Sequence, residues 1–383
     1  MVLGMSSTRN LGDRKTVVAK RRKIVIDVRN LKVNFHTYRG EVKALNGVDL
    51  KLYEGEVLGV VGESGCGKSV TALTIIGLLP ENGYVLEGEV LFRGQDLLKK
   101  SGEERRILRS SELATIFQDP MTYLNPVLKI ETQLKEVFML NKNFLRSVAF
   151  LQKTQGKEMT FLETLSLERT SSPRTPKVKV SRADIKGVAQ KLAIDLLRLI
   201  KMPDPERVLG EYPFELSGGM RQRAMIAMAL ARRPSVLIAD EITTAVDVTI
   251  QAQILRLLEE LRDKIDAAVM LITHDLSVAA EVADRIAVMY GGSVVEVAAT
   301  KEIFGNPLHP YTLMLMRAIP NVKKPVKRLE FIPGTVPDMV NPPSGCRFHP
   351  RCSSTKVMCT KETPKLREVA PGHEVACCME RPV

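Results

Sequence analysis

Apolar residues fall into short uninterrupted runs that alternate with longer stretches of helical periodicity. Runs at Ile24–Leu31, Glu56–Val61, Ser235–Glu241 and Ala267–Thr273 are rich in Val, Ile and Leu, which predicts strands. The second run leads into a segment with helical spacing, Ser69–Pro80. Apolar strands that alternate with helices indicate a parallel sheet covered on both faces. The predicted fold class is therefore α/β.

The remaining pattern predicts how the chain is organised. Residues 129–213 have mainly helical spacing, and Leu276–Met289 also has helical spacing after the last strand. The Pro-, Ser- and Arg-rich stretch Glu168–Arg182 predicts a loop. After Pro320 the chain is punctuated by prolines and cysteines and has little periodicity. We predict a basic tail at 1–23, an α/β domain at 24–320 and a separate C-terminal element at 321–383.

Composition narrows the class of protein. Hydrophobic residues make up 44% of the 383 positions, as in a globular protein, and no apolar run approaches the roughly 18 residues of a membrane span. The N-terminus lacks a secretory signal, so a soluble cytosolic protein is expected. Part of the net charge of +12 lies at Lys20–Lys23, which indicates a solvated tail or one drawn to a membrane surface. RNA binding has little support, because aromatics are only 5% and Trp is absent.

A glycine-rich segment after the second strand predicts a phosphate-binding loop. Gly62–Ser69 reads GESGCGKS and satisfies G-x-x-x-x-G-K-[ST]. Its backbone N–H groups would surround a phosphate chain, Lys68 would reach the β- and γ-phosphates, and Ser69 would ligate Mg²⁺. The residues expected to bind the nucleotide are Gly62, Ser64, Gly65, Cys66, Gly67, Lys68, Ser69 and Val70.

Two acidic residues end the third apolar run. In SVLIADE, Asp240 and Glu241 would lie at the carboxyl end of a buried strand, where ligands bind to open α/β sheets. Without other motifs, two such acids fit a helix cap as well as they fit a catalytic site. With the phosphate loop, Asp240 is predicted to ligate Mg²⁺ and Glu241 to act as the general base that activates water.

A second phosphate-sized cradle lies in LSGGMRQR, at Leu216–Arg223. Its small residues precede a helix and expose backbone N–H groups. One nucleotide cannot fill two cradles that face different sides of one chain. We therefore predict that this cradle serves a nucleotide held by a partner subunit, through Ser217, Gly218, Gly219 and Gln222.

These motifs, in this order and separation, resemble the ATP-binding subunits of ABC transporters over about residues 24–321. GESGCGKSV, IFQDPMTYLNP, LSGGMRQRAMIAMAL and GCRFHPRC are most similar to the ATPases of oligopeptide/dipeptide-type importers. The resemblance implies a P-loop ATPase with a parallel-sheet core, an antiparallel β subdomain, a helical subdomain at about 129–213 and a small C-terminal extension with cysteines.

The resemblance also implies roles for single residues. Gln118 in IFQDP matches the glutamine that contacts Mg²⁺ or water, and His274 in ITHD matches the histidine that contacts the γ-phosphate. Asp247 in TTAVDVT matches the D-loop aspartate, which communicates across the dimer. Tyr38 or a close neighbour would stack on adenine. Without the resemblance, a histidine after a strand is more often a packing or capping residue.

Two features depart from the family pattern. Ile242 follows the catalytic glutamate where the family usually has proline, from which we expect a slightly altered D-loop and intact catalysis. The stretch 141–182 is longer than the usual helical subdomain. Its segment SSPRTPKVKV is expected to protrude, with no role assigned.

Four cysteines, Cys346, Cys352, Cys359 and Cys377, lie in the proline-rich C-terminal segment. Their intervals of five, six and seventeen residues lack the C-x-x-C pairs typical of structural zinc. Four thiolates also suit an iron–sulfur cluster, so the spacing leaves zinc, iron–sulfur and unligated thiols open. The resemblance favours a [4Fe–4S] cluster, with Cys378 as an alternative to Cys377.

The predicted function is an ATP-hydrolysing subunit of an ABC importer for oligopeptides, dipeptides or a related solute such as oligosaccharides. Its implied partners are a second ATPase subunit, either a paralogue or itself, two membrane permeases and, indirectly, an extracellular solute-binding protein. It would lie at the cytoplasmic face of the membrane. The alternative is a soluble ABC-type ATPase acting on nucleic acid or ribosomes, which usually carries two cassettes or a coiled coil; this chain has one phosphate loop.

Overall fold

The computed structural model describes residues 23–156, 158–165, 167, 180–242, 248–265, 267–318 and 332–378. The strands in these ranges are β1 (Ile24–Thr37), β2 (Gly40–Tyr53), β3 (Val57–Val61), β4 (Gly83–Phe92), β5 (Gln95–Asp96), β6 (Leu113–Ile116), β7 (Val236–Asp240), β8 (Ala268–Thr273), β9 (Arg285–Tyr290), β10 (Ser293–Ala299), β11 (Arg367–Ala370) and β12 (His373–Val375).

The helices of the same ranges are α1 (Lys68–Ile76), α2 (Gly102–Ser111), α3 (Pro120–Tyr123), α4 (Ile130–Met139), α5 (Lys142–Gln155), α6 (Phe161–Leu165), α7 (Arg182–Leu199), α8 (Pro205–Leu209), α9 (Gly218–Ala231), α10 (Val248–Ile265), α11 (Leu276–Val282), α12 (Thr300–Gly305), α13 (Pro310–Arg317) and α14 (Val357–Lys361). Pro213–Glu215 and His349–Arg351 form short 3-10 helices.

The strands form two sheets. The larger has the order β11-β12-β10-β9-β3-β8-β7-β6, and its strands from β9 to β6 are parallel. The smaller is antiparallel, in the order β2-β1-β4-β5. The parallel core and the antiparallel sheet confirm the predicted fold class.

The large sheet is buried on both faces. Along β3, Val57 and Val61 pack into one apolar cluster with the helical region, whereas Leu58 and Val60 pack into a second cluster with the small sheet. Alternate side chains of a strand point to opposite faces, so both faces are covered. This arrangement is why the core strands consist of apolar residues without alternation.

One predicted helix is wrong in its second half. Leu276–Val282 forms α11, but the chain then turns into strand β9, Arg285–Tyr290. Ile286 to Met289 are fully buried between β3 and β10, where backbone hydrogen bonds come from neighbouring strands. Tertiary pairing therefore outweighs the helical spacing of the alanines in this stretch.

Within residues 129–213, where helical spacing was predicted, the structure has helices α4 to α8. Ser181 caps α7 by accepting from the Asp184 N–H, so the helix begins where the predicted loop ends. Helices α5 and α6 occupy the first part of the long stretch 141–182. Most of SSPRTPKVKV lies outside the described residues, as does the basic tail up to residue 22.

The described part of the C-terminal extension continues the large sheet instead of forming a layer of its own. Strand β12 pairs antiparallel with β10 at Glu296↔Val375. The buried carboxylate of Glu296 lies 2.7 Å from Nε2 of His373 and accepts the backbone N–H groups of Leu308 and His309. This carboxylate therefore joins three segments of the chain.

Among the described residues, helices long and apolar enough to cross a membrane are absent.

The Glu296–His373 pair predicts the stability of the extension. His373→Ala removes a buried partner of a carboxylate, and we expect unfolding free energy to fall by about 1.5–3 kcal/mol in urea titration. Limited proteolysis should then cut within 332–378 before the ATPase core. Glu374→Ala, on the same strand but less buried, is the matched control. Equal stability of the two variants would contradict the role given to His373.

Candidate active site

The glycine-rich loop joins β3 to α1 and is shaped by close backbone contacts. Gly65 and Gly67 have φ of 77° and 102°, a region in which L side chains are strained. A Cβ at Gly62 would lie 2.1 Å from the carbonyl oxygen of Met289 on β9. The glycines are therefore needed so that the loop can lie against the neighbouring strand.

Lys68 begins α1 and is only 4% exposed. Its ammonium group donates to the carbonyl oxygens of Gly62, at 2.8 Å, and Glu63, at 3.1 Å. These contacts hold the cation inside the loop, where the phosphates of a nucleotide would run.

Ser69 and Asp240 meet across the sheet, although they are 171 positions apart. The Ser69 hydroxyl donates to Oδ1 of Asp240 at 3.2 Å, at the end of β7. Burial raises the pKa of Asp240, and the hydrogen bond from Ser69 opposes that shift. A hydroxyl and a carboxylate side by side are oxygen donors of the kind that Mg²⁺ prefers, so both residues fit the predicted metal site.

The three residues predicted to be catalytic lie together. Gln118 donates from Nε2 to Oε2 of Glu241 at 2.9 Å. Nδ1 of His274 lies 3.5 Å from Oε1 of the same carboxylate. Glu241 has a φ of 47°, which is uncommon for a residue with a side chain, and its N–H donates to Ile272 on β8. The backbone thus directs this carboxylate to a point between Gln118 and His274.

The second cradle begins helix α9. The Ser217 hydroxyl caps the helix by accepting from the Met220 N–H, and Ser217 and Gly218 are exposed. A Cβ at Gly219 would lie 3.1 Å from Ile250 on α10, which limits this position to a small residue. Gln222 is buried, and its Nε2 has no hydrogen-bond partner among the residues that the structure describes. Helix α9 packs on α4 and α7, so the cradle belongs to the helical region.

The last two residues predicted for the site are Tyr38 and Asp247. Tyr38 lies in the turn between β1 and β2 and is 98% exposed, so its ring is free to stack, and adenine stacking stays a prediction. Asp247 lies outside the described residues.

The C-terminal cysteines lie close together. All are in the reduced thiol form, and the N–H of Cys346 donates to the carbonyl oxygen of Cys359 at 2.8 Å. Burial and, to a smaller extent, the neighbouring thiols of Cys377, Cys359 and Cys352 raise the pKa of Cys346 to about 11. Within the described ranges, groups of three or more His, Cys, Asp or Glu side chains placed to hold a metal ion are absent. The thiols are thus neighbours without forming a ligand set.

Sequence reasoning missed one contact of the phosphate loop. Glu63, the second residue of the loop, is bonded to Arg351 from the C-terminal extension, 288 positions away. The C-terminal segment, which the sequence predicts to be a separate element, therefore contacts the phosphate loop. No spacing rule connects residues so far apart, and Arg351 reads as an ordinary basic residue between two cysteines.

Fold and site together define a P-loop ATPase of the cassette type. The dimeric bacterial ABC transporter cassette MJ0796 shares the fold, with a TM-score of 0.55 and 24% identity over 72% of this chain and 98% of that one. The family model of ABC transporters matches residues 45–244, and that of the oligopeptide/dipeptide transporter C-terminal region matches residues 295–359.

Two relatives are similar in sequence to this chain over nearly the whole length of both chains. Dipeptide transport ATP-binding protein DppD of Bacillus subtilis is 43% identical, covering 93% of this chain and 95% of the relative. Oligopeptide transport ATP-binding protein OppD of Escherichia coli is 39% identical, covering 92% of both chains. The chain belongs to the ABC transporter family of ATP-binding proteins, and it is an ATP hydrolase of that family.

The contacts of Glu241 with Gln118 and His274 lead to a prediction for the rate of ATP hydrolysis. Glu241→Gln should lower the rate of ATP hydrolysis at least about 100-fold, because the attacking water loses its base, while the phosphate loop still binds ATP. Phosphate release and equilibrium ATP titration measure the two effects separately. Glu281→Gln, an exposed carboxylate on α11, is the matched control. Hydrolysis by Glu241→Gln within about threefold of wild type would exclude this residue as the base.

Proposed function

We propose that this chain powers the import of peptides through an ABC transporter. The observation that carries the proposal is the match of residues 295–359 to the C-terminal region of oligopeptide/dipeptide transporters, on a chain with a complete phosphate loop. The relatives named above are peptide-transport subunits, and none of their names supports an oligosaccharide solute. A role on nucleic acid or ribosomes has no counterpart among them.

In this proposal each polar residue of the site has one task. Lys68 leaves its loop carbonyls to bind the β- and γ-phosphates. Ser69 and Asp240 would hold Mg²⁺, which when bound would neutralise phosphate charge. Glu241 accepts a proton from the attacking water, and Gln118 and His274 fix the carboxylate and the water for in-line attack.

The cradle on α9 would complete the site of a second ATPase subunit. Ser217 and Gly218 are exposed at a helix N-terminus, where backbone N–H groups favour an anion. Two such chains, identical or paralogous, would enclose two nucleotides between phosphate loops and opposing cradles. The helical region would then pass the closing motion to two permeases at the cytoplasmic face of the membrane, and a solute-binding protein would act from the outside.

A transport assay with one substitution tests this function. Ser217→Arg fills the cradle and should abolish ATP-dependent uptake of a labelled tripeptide by the assembled transporter. The isolated chain should still bind ATP, because the cradle serves the partner's nucleotide.

The matched control for this assay is Ser101→Arg, which changes another exposed serine at a helix N-cap. It should retain uptake. Loss of ATP binding by the isolated Ser217→Arg chain would contradict the shared site. Wild-type transporter that hydrolyses ATP without taking up di- or oligopeptides would contradict the proposed solute.

We further propose that Cys346, Cys352, Cys359 and Cys377 ligate a [4Fe–4S] cluster. Support comes from the chemistry of the donor set, since four thiols lie within mutual electrostatic reach in a segment poor in regular structure. They would need to reorient, because their present placement is not a ligand set. A bound cluster would supply cross-links that stabilise this segment, and the ATPase chemistry does not pass through it.

Iron analysis of the full chain tests the cluster. Anaerobically purified protein should contain about four irons per chain and absorb broadly near 400 nm, as thiolate-bound clusters do. Cys352→Ser should lose both signals and become protease-sensitive in 332–378. Cys378→Ser, at the adjacent thiol, should keep them. One zinc per chain, or a metal-free and protease-resistant segment, would contradict the assignment.

A further inference from the structure

The C-terminal extension contributes a buried arginine to the surroundings of the phosphate loop. Nη1 of Arg351 donates to Oε2 of Glu63 at 2.7 Å, and Nη2 donates to Oε1 at 3.1 Å. The two parallel bonds form a bidentate pair, which fixes both direction and distance. The Arg351 side chain is only 5% exposed, so water screens the pair weakly.

Arg351 is itself held by several groups. Its Nε donates to the carbonyl oxygen of Pro333 at 2.8 Å, and its Nη1 donates to the Tyr290 hydroxyl at 3.3 Å. The guanidinium also lies over the Tyr290 ring, 5.7 Å from its centroid. A guanidinium stays protonated in proteins, and this one is held in place by Glu63, Tyr290 and Pro333. The group is thus a fixed cation.

Glu63 is fixed from its backbone as well. Its N–H donates to the Tyr311 hydroxyl at 3.0 Å, and the Tyr311 ring packs on Tyr290 and on Phe348 of the extension. The carbonyl oxygen of Glu63 accepts from Lys68, the lysine that binds phosphate. One residue of the loop therefore contacts both the phosphate-binding cation and the cation from the extension.

The charge of Glu63 needs this partner. A carboxylate in a loop that encloses a triphosphate would repel the ligand, and more strongly where water is partly excluded. Arg351 neutralises the carboxylate and takes up both of its oxygens. When Lys68 turns from the loop carbonyls to the phosphates, the contact with Arg351 still holds Glu63.

We propose that Arg351 is a positioning residue for ATP binding, which acts by neutralising and anchoring Glu63 of the phosphate loop. It does not touch the nucleotide. The inference concerns this chain's ATP site and is independent of the transported solute.

The test is a titration of the full-length chain with Mg-ATP at constant ionic strength. Arg351→Gln should weaken ATP binding roughly tenfold or more, because Glu63 is left as a partly buried charge without its partner. The KM for ATP should rise by a similar factor with little change in kcat. Higher salt should reduce the effect by screening the Glu63 charge.

Substitutions of Glu63 separate charge from packing. Glu63→Gln removes the repelling charge and leaves Arg351 as a cation beside the loop, so ATP affinity should shift in the opposite direction. The double variant Arg351→Gln/Glu63→Gln should recover most of the affinity lost in the single arginine variant. Asp338→Asn, which breaks the exposed pair of the same extension with Arg39, should have no effect.

Three results would overturn the proposal. They are unchanged ATP affinity in Arg351→Gln, weaker binding in Glu63→Gln, and a double variant that binds no better than Arg351→Gln. If Arg351→Gln does not fold, the direction of the shift in Glu63→Gln still decides the matter.

Discussion

The active site depends on one geometric constraint, which is that neighbouring parallel strands end at the same edge of a sheet. Strands β3, β8, β7 and β6 lie side by side, and the residues that follow them are the phosphate loop, His274, the Asp240–Glu241 pair and Gln118. Four segments far apart in the chain therefore deliver their polar groups to one place. Buried apolar residues hold the strands in register, so the sheet positions the chemistry.

Part of the fold and of the active site could be predicted from the sequence, because some features depend only on residues that are close together in the chain. The strand before the glycine loop, the apolar run before Asp240 and the helix that follows Ser217 each depend on neighbours in the chain, and the structure has β3, β7 and α9 there. Strand β9 was misread because it is short and follows alanine-rich α11, and only pairing with β3 and β10 makes it a strand. The contact between Glu63 and Arg351 left no local signal, since each is an ordinary charged residue in its own segment.

Each carboxylate described around the phosphate loop has a hydrogen-bond donor or a cation beside it. Burial raises the pKa of Asp240, and the hydrogen bond from Ser69 and the charge of Lys68 oppose that shift. The Glu241 carboxylate lies between Gln118 and His274, and Glu63 is paired with a buried arginine. Each carboxylate thus faces a donor, which is the condition under which acidic groups can stand beside a triphosphate.

The contact between Arg351 and Glu63 also fixes an order of events during synthesis. A ribosome adds Arg351 288 residues after Glu63, so the phosphate loop is made long before its partner in the extension. Until the extension is made, Glu63 lacks Arg351 and strand β10 lacks β12. A chain truncated before Arg351 would therefore lack the partner that fixes the Glu63 carboxylate.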